Sequence, residues 1–256
     1  MPRIAGSDRI AAMRRAPGTL RFQAEGTIVI PLRDDSPAAP RPIVTFVLIG
    51  LCGGVFLWQR WLTPVAAGRA VAALGAIPAV LFTSARLPVD LQWVPFYATV
   101  VTSMFLHGGW THLLGNLLFL WVYGNNVEAA TGHWRFLGFY LLCGALAIMA
   151  QCLQNPNSPY PIIGASGAIS GVLGAYLMLF PRAKVLTLVL LPYFVTTLRI
   201  RAMLLILLWF VVQLLSDFAV QGAAGGVAFR AHVGGFLAGV LFVGAFKRGD
   251  VGLFSR

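Results

Sequence analysis

The chain has 256 residues, 58% hydrophobic and only 11% charged, where a soluble domain carries about 25% charged residues. Its net charge of +11 does not read as a nucleic-acid surface, because Lys and Arg sit at the ends of apolar runs or in the N-terminal segment, not in a stripe with interleaved aromatics. Three cysteines, Cys52, Cys143 and Cys152, show neither a disulfide framework nor a zinc spacing, and read as small buried hydrophobes.

Residues 1–42 are rich in Arg and Pro and hold no apolar stretch of signal-peptide type. They are expected to form a flexible cytoplasmic N-terminal tail, with a short strand over Thr27–Leu32. A membrane helix needs about 20 mostly apolar residues, and the first such run is 43–60. The following connection carries Pro64, Pro78, Pro88 and Pro95 together with Trp61, Trp93 and Phe96. It is expected to be a long first outer loop of short amphipathic helices at the membrane interface. Further spans are predicted near 110–127, 135–154, 164–181, 201–218 and 230–246. Val185–Leu198 is apolar but short, contains Pro192 and is flanked by Arg182, Lys184, Arg199 and Arg201. It is expected to be interfacial or buried, with both ends in the cytoplasm. The predicted fold is an all-α membrane protein: a six-helix membrane domain over 43–247, closed by a cytoplasmic C-terminal tail over 248–256.

Cytoplasmic loops collect Lys and Arg. Six spans with both termini in the cytoplasm put all basic residues there except Arg60, Arg69, Arg86 and Arg230. The short loops and Arg-rich tail suggest a bacterial inner membrane.

Polar groups inside spans are costly and mark function. Here His112 and Asn116 start the second span, Ser166 the fourth and His232 the sixth. All three spans enter from outside, so these groups share a depth. His112 and Asn116 lie four apart and share a helix face. His107 is separated from them by Gly108 and Gly109. Gly164-Ala165-Ser166-Gly167 delivers Ser166 into a first helical turn, where free backbone N–H groups suit an oxyanion. A serine hydroxyl needs an adjacent base, and His232 is the histidine placed to serve. Small residues Gly167, Gly171 and Gly174 on one helix, and Ala231, Gly235 and Gly239 on the other, permit close approach. Asp217, near the outer end of the fifth span, is a further but weaker candidate for the triad.

These residues resemble the rhomboid family of intramembrane serine proteases. The pattern His-x4-His-x3-Asn appears as His107, His112 and Asn116. The nucleophile motif Gly-x-Ser-Gly appears as Gly164–Gly167, and the last-helix pattern as Ala231, His232, Gly235 and Gly239. The resemblance implies a Ser166–His232 dyad without an acid, and an oxyanion hole from His112, Asn116 and the Ser166 N–H, with Gly164, Gly167 and His107 in support. For His107, a structural hydrogen bond in the loop stands beside direct catalysis. It also implies transmembrane protein substrates cut near the outer face, with small residues at the cleavage site and helix-weakening residues below it. No cofactor, metal or nucleic acid is implied. Two departures stand out. Ser170 occupies the position where some members carry a tyrosine packed on the histidine, and the first outer loop lacks an adjacent Trp-Arg pair.

Three rival readings are weaker. A zinc protease would want His-Glu-x-x-His, which is absent. A transporter would want repeats or paired charges at mid-membrane. A catalytically dead relative that holds clients would usually have lost the serine or the histidine, and both are present.

Overall fold

The computed structural model describes residues 28–35, 41–219 and 228–254, apart from the side chains of 28 and 217–219. The expected tail over 1–27 and 36–40 and the side chain of Asp217 therefore lie outside the described residues. The described part is mostly helical. Strand β1 spans Ile28–Asp34 and helix α1 Ile43–Trp61. The connection to the next long helix holds α2 Pro64–Leu74, α3 Pro78–Phe82 and the short α4 Thr99–Thr102, with 3-10 turns between. Helix α5, Trp110–Phe119, runs through a π-helical segment, Leu120–Gly124, into α6, Asn125–Thr131. Then come α7 His133–Gln154, α8 Ser166–Leu179, the hairpin β2 Lys184–Leu191 and β3 Phe194–Arg201, α9 Ala202–Ala219 and α10 Phe229–Phe246.

Among the described residues, three helices, α1, α7 and α10, are long and apolar enough to cross a membrane. Ser166–Leu179 and Ala202–Ser216 are shorter apolar helices. Helix α8 is the centre of the bundle. Most of its residues are buried, and it packs most extensively on α10 and also on α7. The core around it includes Phe56, Tyr123, Phe136, Phe139, Tyr140 and Tyr176.

The all-α expectation requires correction. Val185–Leu198 folds into an antiparallel hairpin, and β1 adds to it to give a sheet in the order β1-β2-β3. The physical reason is visible in β2, where the β-branched Val185, Thr187 and Val189 alternate inward. Pro192 and Tyr193 sit at the turn, where a missing N–H costs no ladder bond. Residues 28–34 are therefore no loose tail. Asp34 accepts hydrogen bonds from Asn126 Nδ2 and Tyr176 Oη, both at 2.5 Å, which fastens β1 beneath α6 and α8. The described C-terminal residues are likewise attached: Arg248 N donates to Ala130 O (2.8 Å) and Phe254 N to Met178 O (2.8 Å).

At the same end of the bundle the buried Glu128 carboxylate accepts from Val44 N (2.8 Å), Thr45 N (2.7 Å) and Thr45 Oγ1 (2.7 Å), and His133 Nδ1 lies 2.5 Å from it. A helix start leaves its first N–H groups without partners, and Glu128 supplies them for α1 from a distant helix.

Candidate active site

The loop before α8 is held from outside. Ala76 and Ile162 form an antiparallel bridge, with Ile162 N donating to Ala76 O (2.8 Å) and Ala76 N to Ile162 O (3.1 Å). Ala79 N donates to Ser158 O (3.0 Å), and Gly164 N to Ser103 O (2.9 Å). The connection between α1 and α5 thus frames the segment that carries Gly164 and Ser166. Gly164 takes φ +117°, a conformation L side chains rarely adopt, and a Cβ there would strike the His112 ring.

Ser166 is the first residue of α8. Its backbone N–H and those just after it have no partners within the helix. Its Oγ lies 2.8 Å from His232 Nε2 on α10. The two helices come this close because glycines face one another: a Cβ at Gly235 would overlap the Gly167 carbonyl, and one at Gly239 the Gly171 carbonyl.

His112 and Asn116 lie on the same side of α5, close to Gly164. Gly108 N donates to His112 Nδ1 (3.4 Å), which leaves the proton on Nε2, the atom that approaches Gly164. Asn116 is 8% exposed, and its Nδ2 is buried without a hydrogen-bond partner. An unpaired buried donor is costly. Asn116 Nδ2 therefore stands beside the nucleophile loop as a buried donor without an acceptor among the described residues, and His112 Nε2 lies close to the same loop. His107 is placed differently. It is buried in the turn before α5, where its N–H donates to Gln59 Oε1 (3.0 Å) and its Nδ1 lies 3.1 Å from Phe105 O. Burial, and then the neighbouring His112, push it down to about 4, so it is neutral at pH 7. Its ring lies edge-on to His112 at 5.2 Å, and His107 supports that ring from behind. Among the described residues, no group of three His, Cys, Asp or Glu side chains could hold a metal ion.

The sequence matches the family model described as the Rhomboid domain over residues 92–248, more than half of the chain. The chain belongs to the rhomboid family. Rhomboid relatives include "Rhomboid protease GluP" of Bacillus subtilis (strain 168), 32% identical over 61% of this chain and 27% of that protein. "RHOMBOID-like protein 5" of Arabidopsis thaliana is 29% identical over 55% of this chain and 41% of its own length. "Putative rhomboid protease YdcA" of Bacillus subtilis (strain 168) is 35% identical over 31% of this chain and 40% of its own. The alignments thus span well under half of these relatives. Membership and the apolar helices make this a membrane protein.

Within this rhomboid chain, two neighbours of His232 escape sequence reasoning. Gln213 on α9 is 1% exposed, and its Oε1 lies 2.7 Å from His232 Nδ1. Trp209, one turn earlier, faces the imidazole with ring centroids 5.9 Å apart and planes 39° apart. Ser170 instead donates back to the Ser166 carbonyl (2.6 Å). The ring contact on the imidazole therefore comes from α9 and not from position 170 of α8. The one available signal for Gln213 was an amide in the middle of a mostly apolar span.

Proposed function

We propose that this chain is a serine endopeptidase that hydrolyses peptide bonds in transmembrane segments of other membrane proteins, near the outer face of the membrane. The observation that carries the reading is the 2.8 Å contact between Ser166 Oγ and His232 Nε2. Such a contact lets an imidazole take the hydroxyl proton as oxygen attacks a carbonyl carbon. The carbonyl π pair moves onto oxygen, and the resulting oxyanion is received by Asn116 Nδ2, His112 Nε2–H and the Ser166 N–H. The imidazolium returns the proton to the leaving amine as the C–N bond breaks. Water, deprotonated by the same imidazole, then splits the acyl-enzyme, and Ser166 regains its proton.

Six spans, both termini in the cytoplasm and an inner-membrane location belong to the same proposal. Strand β1 precedes α1 and pairs with β2 after α8. Two paired strands lie on one side of a bilayer, so an even number of crossings separates them. The four candidates are α1, α5 with α6, α7 and α8. Arg248, beyond α10, likewise bonds to Ala130 at the end of α6. Helix α8 has 14 residues, about 21 Å at 1.5 Å each, against a hydrocarbon thickness of about 30 Å. If its lower end meets the cytoplasmic interface, Ser166 lies several ångströms below the outer surface. A substrate peptide bond there has to leave its own helix to expose a carbonyl, which favours helix-weakening residues.

The test is cleavage of a model transmembrane substrate by purified protein in detergent, with labelling by a fluorophosphonate probe alongside. Ser166→Ala and His232→Ala are expected to abolish cleavage in folded protein, and labelling is expected to vanish in Ser166→Ala. Full cleavage by either variant would remove the reading.

A further inference from the structure

We propose that Gln213 is a positioning residue, which sets the tautomer and in-plane orientation of His232; the inference rests on the hydrolytic reading above. Four described neighbours define the imidazole. Ser166 Oγ meets Nε2 at 2.8 Å, Gln213 Oε1 meets Nδ1 at 2.7 Å, and Trp209 lies across one face, with Phe229 edge-on at 6.4 Å. The aromatic rings limit tilt but do not distinguish the two nitrogens. Among the described residues, Gln213 alone does so from the side away from the nucleophile. A carbonyl oxygen can only accept, so Nδ1 carries the proton and Nε2 presents its lone pair to the Ser166 hydroxyl. The opposite tautomer would aim an N–H at Oγ, and no base would be present.

The arrangement is built into α9. Trp209 and Gln213 are four residues apart and therefore lie on one helix face, so the same face supplies the ring contact and the acceptor. As the proton moves to Nε2 during attack, the imidazole becomes a cation, and the Gln213 carbonyl dipole stabilises it. A carboxylate would do so more strongly, but it would place a charge within an apolar span at considerable cost. A neutral amide serves orientation without that charge.

The experiment combines one spectroscopic and one kinetic readout. The ¹⁵N shifts of the His232 ring in detergent-solubilised protein report which nitrogen is protonated. The wild type is expected to show a protonated Nδ1 and an unprotonated Nε2, and Gln213→Leu a mixture. The same variant is expected to lose kcat by roughly tenfold to a hundredfold with KM and melting temperature unchanged. That is well short of the about 10⁴ that accompanies loss of an orienting carboxylate in a triad. Should Gln213→Leu fail to fold, Gln213→Met supplies the same comparison at similar volume. A wild-type ring protonated on Nε2 overturns the proposal without any variant. So does a kcat within twofold of wild type in the Leu or Met variant, and so does a loss matched by a fall in melting temperature. Persistent cleavage by Ser166→Ala would instead sink the hydrolytic reading, while the ring shifts would still decide whether Gln213 orients His232.

Discussion

Gly235 of α10 rests on the backbone carbonyl of Gly167 in α8, with no space between them for a methyl group. The obstruction is backbone, so a rotamer change cannot relieve it. The next residue of the same stripe, Gly239, meets the Gly171 carbonyl in the same way. Gly235→Ala is expected to separate the two helices and cost about 1–3 kcal/mol, the usual scale of overpacking. Because Ser166 and His232 sit on those helices, activity is expected to fall further, by roughly 10² for a shift of about 1 Å. Gly244 has nothing within 4 Å of a built Cβ, and Gly244→Ala should change neither melting temperature nor turnover.

A second glycine separates strain from function. Gly164 and Gly132 both have positive φ, +117° and +84°, so alanine at either is strained by about 1–3 kcal/mol. Only at Gly164 does the added carbon also meet the His112 ring. Gly164→Ala is expected to abolish fluorophosphonate labelling, whereas Gly132→Ala should lower the melting temperature and leave labelling unchanged.

Asn116 presents a trade between stability and turnover. Its buried Nδ2 lacks a partner, so removing it relieves a desolvation penalty of about 1–3 kcal/mol. Asn116→Ala is expected to lower kcat by about 10²–10³, the scale for one oxyanion donor. Thermal unfolding in detergent should show stability equal to or above wild type, offset only by the small cavity left behind. A large loss of both would point to a structural role instead.

Glu128 should behave in the opposite manner. Its carboxylate serves two backbone N–H groups and one hydroxyl at the start of α1. Glu128→Ala leaves those donors buried and is expected to cost about 2–4 kcal/mol, from a lost cap and unpaired donors together. Glu128→Gln keeps an acceptor and should cost less. Cleavage measured below the melting transition should survive in both, because the carboxylate is remote from Ser166.

The helices and the candidate site residues were legible in the sequence to different degrees. Charge-free runs place α1, α7 and α10 within a few residues of their observed ends, because a bilayer-length apolar run leaves little freedom. Ser166 and His232 announced themselves as polar groups at the starts of apolar spans. The hairpin did not: Leu186, Leu188 and Leu190 alternate with Val185, Thr187 and Val189, so both faces of β2 look apolar and the two-residue period is masked. Its pairing with β1 depends on a distant segment, which no local pattern reports. Glu128 and Gln213 were missed for a related reason. Each acts on a helix far away in sequence, and a single acid or amide carries no spacing to read. Ser170 pointed to a missing ring contact, and only the packing of α9 revealed Trp209 in its place.

The sheet also dictates an order of events during synthesis. Asp35, just after β1, and its hydrogen-bond partner Lys184 are 149 residues apart. At about 5–20 residues per second, β1 leaves the ribosome roughly 7–30 s before its partner exists. On the proposed six-span topology, four apolar segments enter the bilayer in that interval, before β1 can find its partner. On that topology, closure of the sheet is a late seal on biogenesis, reached by chains whose earlier segments have been threaded in the right number.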